Sequence, residues 1–232
     1  MQAGAEVVGG LDSAGYDGDP VEHLDAVFGI AARRGCKVDI HLHDQGDLGV
    51  WEVRLIVERT RALGLAGRVT ISRALCIATL APPAFDVLAR DLAEQRIALA
   101  TVAPGAREPL PLRRLRDAGV VVALGQDGIR DLWSPYGSGD MLERTMLLAW
   151  RTGFRRDEDL GMALDAARWG SARPGPAPLR PRCGLPGLCG AGPGPDRRGG
   201  GRCASASLAC RQAWRGRPGR AAIGRPLAHV MP

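Results

Sequence analysis

Strand-like and helical stretches alternate along most of this chain, and that alternation limits the fold more than any other feature. Strand signals fall at 6–8, 37–43, 68–72, 97–102 and 120–124. Helical patterns fall at 20–34, 50–63, 82–94, 111–118, 140–151 and 157–167. Such an order predicts right-handed βαβ units and a parallel sheet. In the 20–34 helix, Val21, Leu24, Val27, Phe28 and Ala31 form one apolar stripe, with His23 off it and expected in solvent. In the 50–63 helix, Val53, Ile56, Val57 and Thr60 point inward and the Arg and Glu residues outward. A turn is expected at 9–12, and the continuous apolar run at 120–124 predicts a strand buried on both faces. Five strands in the first 170 residues fit part of a (β/α)₈ barrel, since a whole one takes about 250 residues. A strand that starts almost at the first residue predicts that earlier staves are missing from this chain.

Charge divides the chain in two. Residues 1–169 carry 20 basic and 24 acidic side chains, a net of −4. Residues 170–232 carry 11 Arg and only Asp196, a net of +10. The tail also holds Cys183, Cys189, Cys203 and Cys210, against Cys36 and Cys76 in the body. No pair has Cys-x-x-Cys spacing, so a zinc ribbon is unsupported. Pro and Gly interrupt every possible element of the tail, which predicts no regular structure from residue 170 onward. One reading is an Arg-rich arm for nucleic acid. The other is a stretch translated out of its natural frame, and the abrupt loss of pattern favours it. No apolar run is long enough to cross a bilayer, and the amino terminus lacks the regions of a signal peptide. A cytoplasmic protein without a membrane partner is the expectation.

Chemistry concentrates in KVDIHLHDQGD, residues 37–47. Val38, Ile40 and Leu42 alternate with Asp39, His41 and His43, so both histidines share one strand face. Two imidazoles at a strand's carboxyl end, with Asp44 just beyond, suit a metal or an acid–base pair. They equally suit histidines bonded to backbone or solvent. Ser72-Arg73 follows the next strand. Asp127 follows the last one, inside LGQDGIRDLWSPYGSGDMLER. It reads either as a turn-capping residue or as a carboxylate that binds metal and takes a proton from metal-bound water.

VVGGLD, VDIHLHDQGDLG, RVTIS-x-A-x-C and LGQDGIRDLWSPYGSGDMLER resemble the cytosine deaminase branch of the amidohydrolase superfamily, near the N-isopropylammelide amidohydrolases. The likeness spans about residues 5–169. It implies a metal-dependent barrel with zinc or iron, acting on a pyrimidine- or triazine-like cyclic amidine by hydrolytic deamination with release of ammonia. It implies His41 and Asp127 as metal ligands and Asp44 as the carboxylate that shuttles the proton. It implies His43 and Trp133 as residues near the substrate. Two departures stand out. No His-x-His pair precedes His23, and Arg73 stands where the family has a histidine. Arg is permanently charged and accepts no hydrogen bond. The resemblance therefore implies a hydrolase by descent that is impaired or inactive in this truncated chain.

Two other classes compete. A partial barrel exposes strand edges, so a non-catalytic fragment that self-associates as a homo-oligomer is the alternative. Nucleic-acid binding by the tail ranks last, because Trp214 is the tail's only aromatic residue.

Overall fold

In a computed structural model of the chain, residues 4–171 are described, apart from 104 and 106. The readings of the tail therefore lie outside the described residues, except that the last helix runs to Ser171.

Five strands form one sheet: β1 (Val7–Leu11), β2 (Lys37–Leu42), β3 (Val69–Arg73), β4 (Ala98–Thr101) and β5 (Val122–Leu124). They lie in sequence order, and every neighbouring pair is parallel. Each crossover carries a helix: α1 (Ser13–Asp17) and α2 (Pro20–Arg34), α3 (Gly46–Ala62), α4 (Pro82–Glu94) and α5 (Leu112–Asp117). Helices α6 (Met141–Arg151) and α7 (Asp157–Ser171) follow β5. A parallel order with helical crossovers is the α/β arrangement expected for part of a (β/α)₈ barrel.

Local chemistry sets the helix bounds. Asp19 caps α2 by accepting from the amides of Val21 and Glu22 at 3.0 Å, and Pro20 starts it with a preset φ. Gly35 ends it at φ 65°, a left-handed conformation that favours glycine. Asp140 caps α6 through the amide of Leu142.

Burial alternates along β2, β4 and β5, so the apolar core lies on one face of the sheet, while the end of β3 is buried on both. Val38, Ile40, Leu42, Val69, Ile71, Leu99, Val122 and Leu124 are buried with Leu24, Phe28, Val53, Ile56, Phe85, Leu88 and Leu92 of the helices. The opposite face carries Asp39, His41, Thr70, Ser72, Ala98, Ala100 and Ala123. Ser72 donates to Asp39 across β2 and β3 at 2.8 Å. This corrects the expectation for β5: Ala123 is only half-buried, because apolar sequence on both faces reflects small residues lining the inner face rather than a second helix layer.

Three further expectations are corrected. The turn placed at 9–12 is strand up to Leu11, because the two glycines serve close packing. A Cβ on Gly10 would stand 2.3 Å from Nε2 of His23. His23 is accordingly not solvated; its side chain is 12% exposed and Nδ1 pairs with Asp17. Glu52, expected outward on α3, is fully buried. No described helix is long and apolar enough to cross a membrane.

Candidate functional site

Because all five strands are parallel, their carboxyl ends lie on one side, and there the sequence places its reactive groups. The first group joins β1 and β2. Asp12, directly after β1, donates its amide to the carbonyl of His41 at 2.9 Å. Its carboxylate accepts from the His43 amide at 2.7 Å and meets Nδ1 of His43 at 2.8 Å. A carboxylate on Nδ1 fixes the ring's orientation and leaves Nε2 as the working nitrogen. The rings of His41 and His43 stand 5.4 Å apart, tilted by 47°. Burial lowers the His41 pKa, Coulomb interactions with the neighbouring His43 and Arg73 lower it further, and Asp39 and Asp12 oppose them. His41 is thus biased toward the neutral ring, the form that ligates a cation or accepts a proton.

The second group lies where α3 starts. Asp44 has a buried Oδ2 without a hydrogen-bond partner. Glu52 faces it from the next turns of α3, and Ser13 donates to Oε1 of Glu52 at 2.6 Å. Burial pushes the Glu52 carboxyl up; the Ser13 bond and the Ala14 backbone amide oppose this, while the charge of Asp44 and its facing acceptor oxygen add to the rise. Burial likewise raises the Cys76 thiol to about 12, so it is no nucleophile at neutral pH.

The third group joins β3 to the loop after β5. Arg73, only 5% exposed, pairs through Nη2 with Oδ2 of Asp127. Its guanidinium also lies 5.2 Å from the ring centre of Trp133, within cation–π range. Burial, then the like charge of Arg144, lowers the Arg73 pKa. Arg144 itself is held by Gln126 and the carbonyl of Val102. Trp133 is mostly exposed, lying over the guanidinium rather than in a closed pocket.

Three of these strand-end residues have left-handed backbones without being glycine: Asp12 at φ 40°, Arg73 at φ 77° and Asp127 at φ 63°. Such backbones are uncommon and cluster at functional sites.

His41, His43, Asp44, Arg73, Asp127 and Trp133 therefore all stand at the carboxyl end of one sheet. The zinc or iron that the resemblance implies does not fit them. Among the described residues, no three His, Cys, Asp or Glu side chains come together as a cation site. The carboxylate expected to bind metal is instead taken by a guanidinium. A catalytic zinc site needs about three protein ligands.

Sequence reasoning missed Asp12, Ser13 and Glu52. Asp12 follows β1 as Asp44 follows β2, so its position was a signal. Glu52 precedes the inward Ile56 by four residues and Thr60 by eight, the spacing of one helix face.

The sequence profile of the amidohydrolase family matches residues 1–174. The chain is 43% identical over 150 residues to the uncharacterised protein YahJ of Escherichia coli K12, which covers 64% of this chain and 33% of that one. It is 29% identical over 162 residues to the N-isopropylammelide isopropyl amidohydrolase of Pseudomonas sp. strain ADP, 70% of this chain and 40% of that one. The crystal structure of N-isopropylammelide isopropylaminohydrolase from Burkholderia multivorans superposes with a TM-score of 0.71 at 47% identity, over 73% of this chain and 44% of that one. The chain thus spans less than half the length of these relatives.

Proposed function

Since the chain belongs to the amidohydrolase family, we propose that its strand-end cluster derives from a site for hydrolysing a carbon–nitrogen bond of a cyclic amidine, and that turnover is impaired or absent in the chain as it stands. The substrate class is a pyrimidine- or triazine-like ring, and the reaction is hydrolytic deamination in the manner of cytosine deaminases. The observation that carries this reading is the gathering of His41, His43, Asp44 and Asp127 at one end of the sheet, in a chain 47% identical to an N-isopropylammelide isopropylaminohydrolase.

The residues divide the work as follows. Asp12 orients His43 toward a ring bound at the strand ends. Asp44 is the carboxylate that moves a proton. Asp127 is engaged by Arg73, and this engagement accounts for the loss of turnover. A guanidinium donates hydrogen bonds but is no Lewis acid, so it cannot bind and acidify a water as a metal ion does.

The test is an assay of the purified chain with added zinc or ferrous iron, following ammonia or amine release from cytosine and from N-isopropylammelide. Expected are no turnover and a thermal shift on adding either ring compound that disappears in His43→Ala. Sustained release with one bound metal per chain would overturn the impairment, and no shift with either compound would overturn the substrate class.

A second reading, self-association without catalysis, has its own support. Among the described strands, β1 pairs only with β2 and β5 only with β4. Val7 and Leu11 on β1 are 45% and 40% exposed. Unpaired edges invite a second copy. Size-exclusion chromatography decides it, since a monomer at all concentrations dismisses the reading.

A further inference from the structure

The Asp44–Glu52 contact contains an imbalance that a single proton removes. Glu52 is fully buried, yet only Oε1 has a side-chain donor, the hydroxyl of Ser13 at 2.6 Å. Its Oε2 is buried with no hydrogen-bond partner, and so is Oδ2 of Asp44. Two ionised carboxylates here would set like charges together and leave both oxygens without a donor. Buried polar atoms are very rarely left so. Another titratable neighbour is Cys76, whose thiol is held protonated chiefly by burial. Packing closes the site around them. A Cβ at Gly49 would lie 2.2 Å from the Asp44 carbonyl oxygen and 2.9 Å from Cβ of Cys76, so α3 sits directly on the Asp44 backbone.

We propose that Glu52 is a positioning residue: its carboxylic proton sits between Oε2 of Glu52 and Oδ2 of Asp44 and holds the Asp44 carboxylate in place. The pair carries one proton and one negative charge at neutral pH. Ser13 completes the arrangement by donating to the other Glu52 oxygen, which leaves Oε2 to carry the proton. The Glu52 carboxyl is pushed up accordingly: burial comes first and the charge and acceptor oxygen of Asp44 add to it, against the Ser13 hydroxyl and the Ala14 backbone amide. Two carboxyls that share a site separate in this way, one protonated and one ionised. No bond to a substrate forms or breaks at Glu52, and its proton stays with it. The assignment of proton transfer to Asp44 rests on the function proposed above, but the shared proton does not.

The experiment therefore uses no substrate and no metal. Infrared difference spectra of the full chain in D₂O at pH 7, wild type minus Glu52→Gln, are expected to show one protonated carboxyl band in the wild type. Glu52→Gln keeps a donor for Asp44 and an acceptor for Ser13, so its urea midpoint at pH 7 should match or exceed that of the wild type. Glu52→Ala should lie well below both. The wild type should lose stability as pH rises above the ordinary carboxyl range, and Glu52→Gln should lose that slope. Absence of the band, or a Glu52→Gln chain as weak as Glu52→Ala, would overturn the proposal. If Glu52→Ala does not fold, the band and the Glu52→Gln pH profile still decide it. Turnover with a normal pair, or an absent band in an inactive chain, separates the two proposals from each other.

Discussion

Two carboxylates stand at the same end of one sheet, and their surroundings treat them in opposite ways. Asp44, after β2, faces a second acid on α3. Asp127, after β5, faces the buried guanidinium of Arg73. The first arrangement settles its charge with a proton, the second with a permanent cation. The comparison teaches that position on a barrel fold nominates a carboxylate for chemistry, while the nearest ionisable neighbour decides its state.

The largest expected effect comes from the Arg73 side. Asp127→Ala leaves a buried guanidinium unpaired and should cost about 3 kcal/mol, the low end for a buried pair because Asp127 is 29% exposed, read from the urea midpoint. Replacing both partners, Arg73→Met with Asp127→Asn, which suits the left-handed backbone there, should recover part of that loss, since the lone buried charge is removed. A loss under about 1 kcal/mol in Asp127→Ala would erase the contrast between the two sites.

Glu52→Ala comes next. It strips Asp44 and Ser13 of their partner and should cost about 1–3 kcal/mol at pH 7. Its pH dependence has the opposite sense to that of an ordinary ion-paired carboxylate. The folded chain retains the Glu52 proton above the ordinary glutamate value of 4.5, whereas the unfolded chain releases it there. The folded state then binds more protons, so this contribution is fully present below that value and is lost as pH rises through the window above it. Urea titrations from pH 4 to pH 8 would show a falling profile, and a rising one would place Glu52 among ordinary carboxylates.

Smaller effects sharpen the comparison. Trp133→Ala should cost about 0.5–1 kcal/mol, because it removes an exposed ring from the Arg73 guanidinium. With the Cys76 thiol raised to about 12, its alkylation by iodoacetamide at pH 8 should be on the order of a thousandfold slower than that of an ordinary cysteine, as peptide mapping would show.

Much of the frame is legible in the sequence. The 20–34 and 82–94 helices match their expected bounds because proline starts both, and a capping Asp with a terminal glycine frames the first. Parallel strands put His41, Asp44 and Asp127 at one end, and a βαβ rhythm is enough to say so. What escaped was pairing across distance. Ser13 meets Glu52 39 residues away, and Arg73 meets Asp127 across two intervening strands. Periodicity describes one element at a time, so it ranked Glu52 with the solvated face and His23 with it. The glycines of β1 looked like a turn because glycine marks both a bend and a close approach, and only the position of His23 distinguishes them.

The left-handed backbone at Arg73 carries a consequence of its own. Residue 74 is also left-handed and its methyl group is wholly enclosed, so the chain path here is dictated by the surrounding core. A side chain that tolerates the left-handed backbone can be exchanged there while the surrounding core holds the chain path. The site's chemistry can thus drift by single codons while its scaffold keeps its shape, and a barrel end can turn from one purpose to another long before the fold records any change.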